Sequence, residues 1–120
     1  MTSESQQVDR QKIQEYHMHV YYSAGTRDHA VRFRDLLTSL GNGRLRVYSL
    51  SDGPRGPHVE PMFGVDIPAA HIAEILEFAM INHGPLSILL HPVTGNDLLD
   101  HTHHAFWLGP PRPLDLSILA

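Results

Sequence analysis

Short stretches in which apolar and polar residues alternate recur along the chain, and such alternation predicts β-strands. The clearest stretch is Tyr-His-Met-His-Val-Tyr-Tyr at 16–22, which is rich in aromatic and β-branched residues and stops at Ala24-Gly25. A short and nearly continuous apolar run that ends near residue 90 predicts a buried strand. The sequence therefore predicts strands at 16–22, 44–50, 62–67 and 86–91.

Between these strands, apolar residues recur twice at helical spacing. The first helix is predicted to be capped by Thr26 and to end at Gly41-Asn42-Gly43, and the second to open at Pro68 and to end at Gly84-Pro85. The resulting order, β-α-β-β-α-β, is that of a ferredoxin-like split βαβ fold. We therefore expect an α+β protein with an antiparallel sheet and two helices on one face.

In this arrangement the first strand is central, and one of its faces, with His17, His19 and Tyr21, points away from the helices. Histidines two apart on a strand leave the same face and can both reach one ion at about 2.1 Å. The fourth strand runs antiparallel to the first, so His91 at its end can join them. The alternative is a set of solvated histidines on an exposed sheet face, and the spacing leaves both interpretations open.

The composition fits a single compact domain, because the 120 residues are 42% hydrophobic and 18% charged. We expect a flexible, polar N-terminal arm at 1–14 and one domain at 15–120. The net charge of −4 argues against a nucleic-acid or anionic-membrane partner. The sequence shows neither an apolar run near the roughly 20 residues of a membrane span nor a signal peptide, so a cytoplasmic location is expected.

The balance of histidine and cysteine narrows the possible chemistry. The chain has ten histidines and no cysteine, which excludes disulfides, thiolate metal sites and cysteine nucleophiles. A site must then use nitrogen and oxygen groups, and histidine points to a metal or acid–base role.

Three further polar residues are candidates for the functional site, although each also has an explanation without a functional role. His58 lies in a stiff Gly-Pro-His loop and His101 follows Asp100, yet both could be plain loop residues. Arg46 could receive a substrate carboxylate, although an exposed strand arginine is the commoner explanation. Histidines at helix ends are read as structural (His29, His71 and His83), and two in the tail stay unassigned (His103 and His104).

Four histidine-bearing segments together resemble a known family. They are Tyr16-His17-Met18-His19-Val20-Tyr21, Gly56-Pro57-His58 leading to Pro61-Met62-Phe63, Ser87 to His91-Pro92 with Thr94-Gly95, and Asp100-His101-Thr102 with Trp107-Leu108-Gly109. In this order they are similar to the DOPA 4,5-dioxygenase family of small aromatic-ring-opening enzymes. The resemblance covers the chain from Tyr16 to about Asp115.

The resemblance implies a dimeric ferredoxin-like α+β fold and a non-haem metal, iron(II) in the active form with zinc(II) possible in purified protein. It also implies extradiol cleavage of a small catechol such as DOPA by dioxygen. We expect His17, His19 and His91 to bind the metal. The usual arrangement of two histidines and one carboxylate is not obvious here, and Glu60 and Asp66 are the nearest carboxylates to complete it.

The remaining candidates then take supporting roles. His58 and His101 are left for acid–base work on the catechol hydroxyl and on the oxygenated intermediate, and Tyr21 would line the ring pocket. A homodimer partner is expected to close the uncovered sheet face. Two rival hypotheses stay open: a non-catalytic metal- or small-ligand-binding module on the same dimeric scaffold, and histidines that merely cover a dimer interface and bind nothing.

Overall fold

A computed structural model describes residues 13–119 of the chain, and it confirms the predicted α+β class. The predicted flexible arm falls mainly on residues 1–12, which lie outside this range. Counted in chain order, the strands and helices are β1 (Glu15–Tyr21), α1 (Arg27–Gly41), β2 (Arg46–Val47), β3 (Met62–Pro68), α2 (Ile72–Asn82), β4 (Ser87–Pro92), α3 (Asp97–Asp100) and β5 (Phe106–Leu108).

The strands form one sheet in the order β2-β3-β1-β4-β5, and each pair of neighbours is antiparallel. β1 is central, as predicted, with β3 on one side and β4 on the other. Its register places His17 opposite both Asp66 and His91, and His19 opposite Gly64 and Leu89. Residues directly opposite on an antiparallel pair have neighbouring side chains, so the register alone collects polar groups around His17.

One face of the sheet builds the main core together with α1 and α2. Even-numbered residues of β1 point to this side, and the helices contribute apolar residues at helical spacing. The fully buried members include Met18, Val20, Phe33, Leu37, Phe63, Val65, Ile67, Ile75 and Ile88. The helix that contains Phe33 ends as predicted, at Asn42 in the left-handed conformation with φ of 48°.

The opposite face of the sheet is not left uncovered, contrary to the sequence prediction. Tyr21 and Leu89 are buried in a second, smaller core against which Trp107 and Leu114 pack. The covering residues belong to the segment after β4, which returns to the sheet as β5. This strand was not predicted, because three residues are too few for an alternation to be recognised and its pairing with β4 is a long-range contact.

Two predicted elements differ in extent. β2 is confined to Arg46–Val47, because the Arg34 guanidinium binds the carbonyl groups of Val47 and Tyr48, at 3.3 and 2.7 Å. The second helix begins four residues later than predicted, since Pro68 ends β3 and a 3₁₀ turn precedes Ile72. None of the helices found between residues 13 and 119 has the length and apolar character that crossing a membrane requires.

The loop at 51–61 is fixed at both ends. Near its start, Asp52 accepts a hydrogen bond of 2.6 Å from the Tyr22 hydroxyl and forms an ion pair with Arg27. Farther along, the Arg55 and His58 backbones exchange two hydrogen bonds across a tight turn, at 2.9 and 3.0 Å. Gly56 within that turn has φ of 56°, a conformation that strains residues with a side chain.

Truncation of Phe33 to alanine is expected to lower the free energy of unfolding by about 3–5 kcal/mol, because its ring is 2% exposed and packs on Phe63 and Phe78. Leu36→Ala on the same helix is the control, since Leu36 is 55% exposed and its truncation should cost no more than about 0.5 kcal/mol. Urea denaturation measures both variants. Equal losses would contradict the described orientation of α1.

Alkaline pH should weaken the fold through Tyr22. Burial, followed by the hydrogen bond to Asp52, raises the pKa of this phenol to about 12. The folded state therefore keeps a proton that the unfolded state loses above pH 10, and the free energy of unfolding falls from pH 10 to 12 by at most about 1.4 kcal/mol per pH unit. Urea midpoints at pH 8 and pH 11 should fall less for Tyr22→Phe than for the native sequence; parallel losses would contradict the assignment.

Candidate metal centre

Five of the predicted site histidines are brought together on the face of the sheet opposite the helices. Their nitrogens form two groups, each with ligand atoms within 4.8 Å of one another, and His19 belongs to both. The first group is the predicted ligand set, and the second adds the two loop histidines: His17, His19 and His91; His19, His58 and His101.

Separate parts of the chain deliver these rings. Strand pairing sets His17 and His19 on β1 beside His91 on β4. The tight turn after Arg55 turns the His58 ring inward, so that its centroid lies 4.2 Å from that of His19. His101 directly follows the short helix α3, and its ring lies 4.4 Å from that of His91. The cluster therefore depends on two loops as well as on the sheet.

The rings of His91 and His101 are oriented by backbone carbonyl groups. His91 Nδ1 lies 2.8 Å from the Pro92 carbonyl oxygen, and His101 Nδ1 lies 2.7 Å from that of Asp97. A carbonyl oxygen only accepts, so Nδ1 is the protonated nitrogen in each ring and Nε2 keeps its lone pair. Metal-binding histidines are commonly held in this way.

The geometry around His19 fits a divalent metal. Its Nε2 lies 3.0 Å from His91 Nε2. Two nitrogens at about 2.1 Å from one ion and at right angles would be separated by about 3.0 Å. His19 Nδ1 is buried and has no hydrogen-bond partner among residues 13–119, a costly condition for a polar atom. The donor set therefore suits an ion that prefers imidazole nitrogen.

Burial keeps the central imidazoles neutral, which is the form that binds a metal. Desolvation, followed by the charges of neighbouring histidines, lowers the pKa of His19 well below its ordinary value and that of His58 to about 4. Desolvation also lowers the pKa of His91 to about 4. At neutral pH these rings bring lone pairs and no positive charge to the site.

His58 differs from the other rings because it is joined to Tyr21. The Tyr21 hydroxyl lies 2.6 Å from His58 Nδ1, and both residues are buried. Desolvation, followed by the charge of Glu60, raises the pKa of Tyr21, so the phenol stays protonated. When that hydroxyl donates to Nδ1, the ring hydrogen of His58 resides on Nε2, and this N–H can donate a hydrogen bond.

The carboxylates lie at the edge of the cluster. Glu60 forms a two-point ion pair with Arg112, which lowers the pKa of Glu60 and occupies its oxygens. Asp66 lies 3.2 Å from His17 Nε2, and Glu15 lies 2.6 Å from the same atom. Glu15 was missed by the sequence reasoning, although it continues the alternation of His17 and His19 on β1.

A buried carboxylate supports the loop that carries His101. Asp100 is 1% exposed, and it accepts hydrogen bonds from the Thr94 backbone at 2.9 Å, the Thr94 hydroxyl at 2.6 Å and His104 Nδ1 at 2.9 Å. Burial raises its pKa, but the bonds from His104 and Thr94 outweigh this and lower it overall. His104 thus has a structural partner, whereas His103 is exposed.

The helix-end histidines lie apart from the cluster. His29 Nε2 lies 3.2 Å from the Asn82 carbonyl, and His83 Nδ1 lies 3.0 Å from the Leu86 carbonyl. His71 occupies the 3₁₀ turn before α2. These positions agree with the structural roles expected from the sequence.

A cavity of about 470 Å³ lies against the rings of His17 and His19. Arg46, the predicted carboxylate receptor, does not line it; this residue is exposed, with its guanidinium 4.9 Å from the centre of the Tyr48 ring. Arg55 lines the cavity instead. Tyr21, predicted to line the ring pocket, borders a different cavity of about 440 Å³.

Taken together, the fold and the site define a class: a ferredoxin-like α+β protein whose sheet carries a histidine cluster able to hold a divalent metal. Residues 16–118 match the model of the Dopa 4,5-dioxygenase family, and the chain belongs to this family.

Individual relatives agree with this assignment. A DOPA 4,5-dioxygenase of Amanita muscaria is 30% identical over 115 residues, which are 90% of this chain and 50% of that protein. An uncharacterised 21.2 kDa protein of Botryotinia fuckeliana is 33% identical over 114 residues, 87% of this chain and 62% of that protein. The chain thus spans between half and two thirds of the length of these relatives.

A solved structure extends the comparison to three dimensions. The crystal structure of a provisionally assigned dioxygenase from Nostoc punctiforme superimposes with a TM-score of 0.86 at 32% sequence identity. The match covers 94% of this chain and 96% of that one. The two proteins therefore share nearly their whole fold.

Removal of the shared histidine should abolish metal binding. His19→Ala is expected to lose the rise in melting temperature that zinc(II) or iron(II) gives the native protein, because ligand binding stabilises the folded state by about 2.7 kcal/mol at a hundred times the dissociation constant. His103→Ala is the control, since His103 is exposed outside both groups. Thermal melts with and without metal measure this. A full metal response in His19→Ala would contradict the proposed centre.

Proposed function

We propose that the protein is a metal-dependent extradiol dioxygenase that opens the ring of a small catechol with dioxygen. Its membership of the Dopa 4,5-dioxygenase family supports an oxygenase activity. The observation that carries the proposal is the pair of ring nitrogens on His19 and His91, 3.0 Å apart within a cluster of five imidazoles and beside a cavity large enough for a small ligand.

The metal would be held by His19 and His91 with His17. Bound iron(II) would supply open coordination positions at which a catecholate and dioxygen can meet. The carboxylates of Glu15 and Asp66 would then act on His17, whose Nε2 contacts both, and hold the orientation of that ring. Such outer contacts are a usual means of fixing a ligand ring.

His58 and His101 would divide the acid–base work. The orientation of His101 leaves a lone pair on Nε2, so this ring can take the proton of a catechol hydroxyl. His58, bonded through Nδ1 to the Tyr21 hydroxyl, carries a hydrogen at Nε2 in its neutral ring. It would donate a hydrogen bond to a reacting oxygen, and it would act as an acid only after Nδ1 has taken up a further proton. Tyr21 would then serve the reaction through His58, and not as a wall of the ring pocket.

One observation favours a second candidate, a non-catalytic metal-binding module. The five clustered imidazoles are enough to fill all four positions of a structural zinc ion, whereas a catalytic ion keeps a position open. A crystal of the metal-loaded protein decides between the two. Three protein ligands with an open position support the dioxygenase, and four protein ligands support the module.

The remaining expectations concern assembly and location. The homodimer stays a prediction from the family resemblance. The cytoplasmic location stays a prediction from the sequence. Because the segment after β4 already covers Tyr21 and Leu89, a partner would meet only the remainder of that face. Analytical ultracentrifugation gives the oligomeric state.

Ring opening itself can be measured directly. Iron(II)-loaded protein is mixed without oxygen with a panel of catechols, and oxygen is then admitted; we expect a yellow ring-opened product. His58→Gln should lower kcat by about 10²- to 10⁴-fold because an imidazole able to exchange a proton is lost. His103→Gln should leave kcat unchanged. No product from any catechol, with iron shown to be bound, would contradict the activity.

A further inference from the structure

The cavity beside His17 and His19 combines an apolar lining with few charges. Leu50, Met62 and Val65 supply apolar surface, and Gly64 lies at the centre of the β3 segment that borders it. A Cβ atom at Gly64 would lie 3.6 Å from the Tyr48 ring and 3.9 Å from His19 Nδ1. Glycine at this position therefore adds no side chain to the cavity wall between Tyr48 and His19.

Apart from the histidines, the cavity is lined by one cation and one anion. The anion, Asp66, is already engaged, because it accepts a hydrogen bond of 2.6 Å from the Tyr48 hydroxyl and lies near His17. The cation is Arg55. Within residues 13–119 no carboxylate pairs with its guanidinium, in contrast to Arg112, which binds Glu60.

The backbone of Arg55 is nevertheless held in place. Its N–H and C=O groups both bond to His58 across the tight turn, and the His58 ring belongs to the metal cluster. Any ordering of His58 therefore also positions Arg55. An arginine whose backbone is fixed while its guanidinium is unpaired is suited to bind an anionic group of a ligand.

The direction of the cavity follows from the strand register. Along β3 the residues on the site face run from Asp66 to Gly64 to Met62, and Ser51 bridges to Met62. The loop that carries Arg55 thus departs from the end remote from Asp66. A ring placed next to His19, opposite Gly64, would direct a substituent toward either the acidic end or the Arg55 end.

We propose that Arg55 is the residue that selects the substrate, and that it favours catechols with a short carboxylate-bearing side chain. This inference rests on the proposed function, since it assumes that the catechol ring lies beside His19. The guanidinium would pair with the carboxylate by charge-assisted hydrogen bonds, while a neutral side chain would gain nothing from it. Both Arg55 and Arg46 are exposed, but Arg46 lies outside the cavity lining and would not take part.

The test compares three ligands of similar size: 3,4-dihydroxyphenylpropionate, 4-ethylcatechol and dopamine, which are anionic, neutral and cationic. Binding to iron(II)-loaded protein is measured by calorimetry under nitrogen, so that no turnover is needed, and kcat/KM for ring opening is measured separately. The variants are Arg55→Gln and Arg55→Lys. Arg32→Gln is the matched control, because Arg32 is an exposed arginine of α1, on the helical side of the sheet.

We expect Arg55→Gln to weaken dihydroxyphenylpropionate binding about fivefold, the upper end of the effect of losing an ion pair made by an exposed side chain. Binding of 4-ethylcatechol should change less than about twofold, and dopamine should bind no more weakly than before. Arg55→Lys should recover part of the loss, since it keeps the charge but not the two-point geometry. Arg32→Gln should match the native protein with all three ligands.

Several outcomes would overturn the inference. They are an equal loss for the anionic and neutral ligands, no loss for either, an effect of Arg46→Gln in place of Arg55→Gln, or no binding of dihydroxyphenylpropionate to the native protein. The proposed function is judged separately. Selective binding without any ring opening would support Arg55 and refute the dioxygenase activity, whereas ring opening without selectivity would refute only the role of Arg55.

Discussion

The antiparallel pairing of β1 with both β3 and β4 is the constraint on which the rest of the structure depends. A strand places successive side chains on opposite faces, so a shift of one residue would exchange Met18 and Val20 with His17 and His19. The free energy of burying the apolar set against the helices therefore also fixes the position of the histidines. The register that buries the core thus also places the strand histidines on the opposite face.

The site itself is costly to bury. Imidazole rings in contact with one another cannot all be protonated, and desolvation opposes their charge, which is why the pKa values of His19, His58 and His91 are lowered. Hydrogen bonds offset the cost of burying two of these rings: His91 bonds to a carbonyl group, and His58 bonds to the hydroxyl group of Tyr21. Among the histidines in the described part of the chain, only His19 keeps a buried nitrogen without a partner, at the point where both groups of histidines meet.

Two irregular segments complete what the sheet begins. The loop at 51–61 supplies His58 and Arg55, and it is held by Asp52 at its start and by the bridge between His58 and Leu114. The segment after β4 supplies His101 and covers the second core with Trp107. Loops held by such contacts can carry site residues on a rigid scaffold, and here they add two imidazoles and a guanidinium around the sheet histidines.

By itself the sequence determined the α+β class, the central place of β1 and the common face of His17, His19 and His91, because alternation and helical spacing are local properties of the chain. It could not determine β5, the partial cover of the second face, the pairing of Glu60 with Arg112 or the absence of Arg46 from the cavity lining. Those features depend on contacts between residues far apart in the chain, as when Trp107 meets Tyr21. Only the tertiary structure decides which of two similar arginines lines the cavity, because side-chain surroundings are set by packing and not by local pattern.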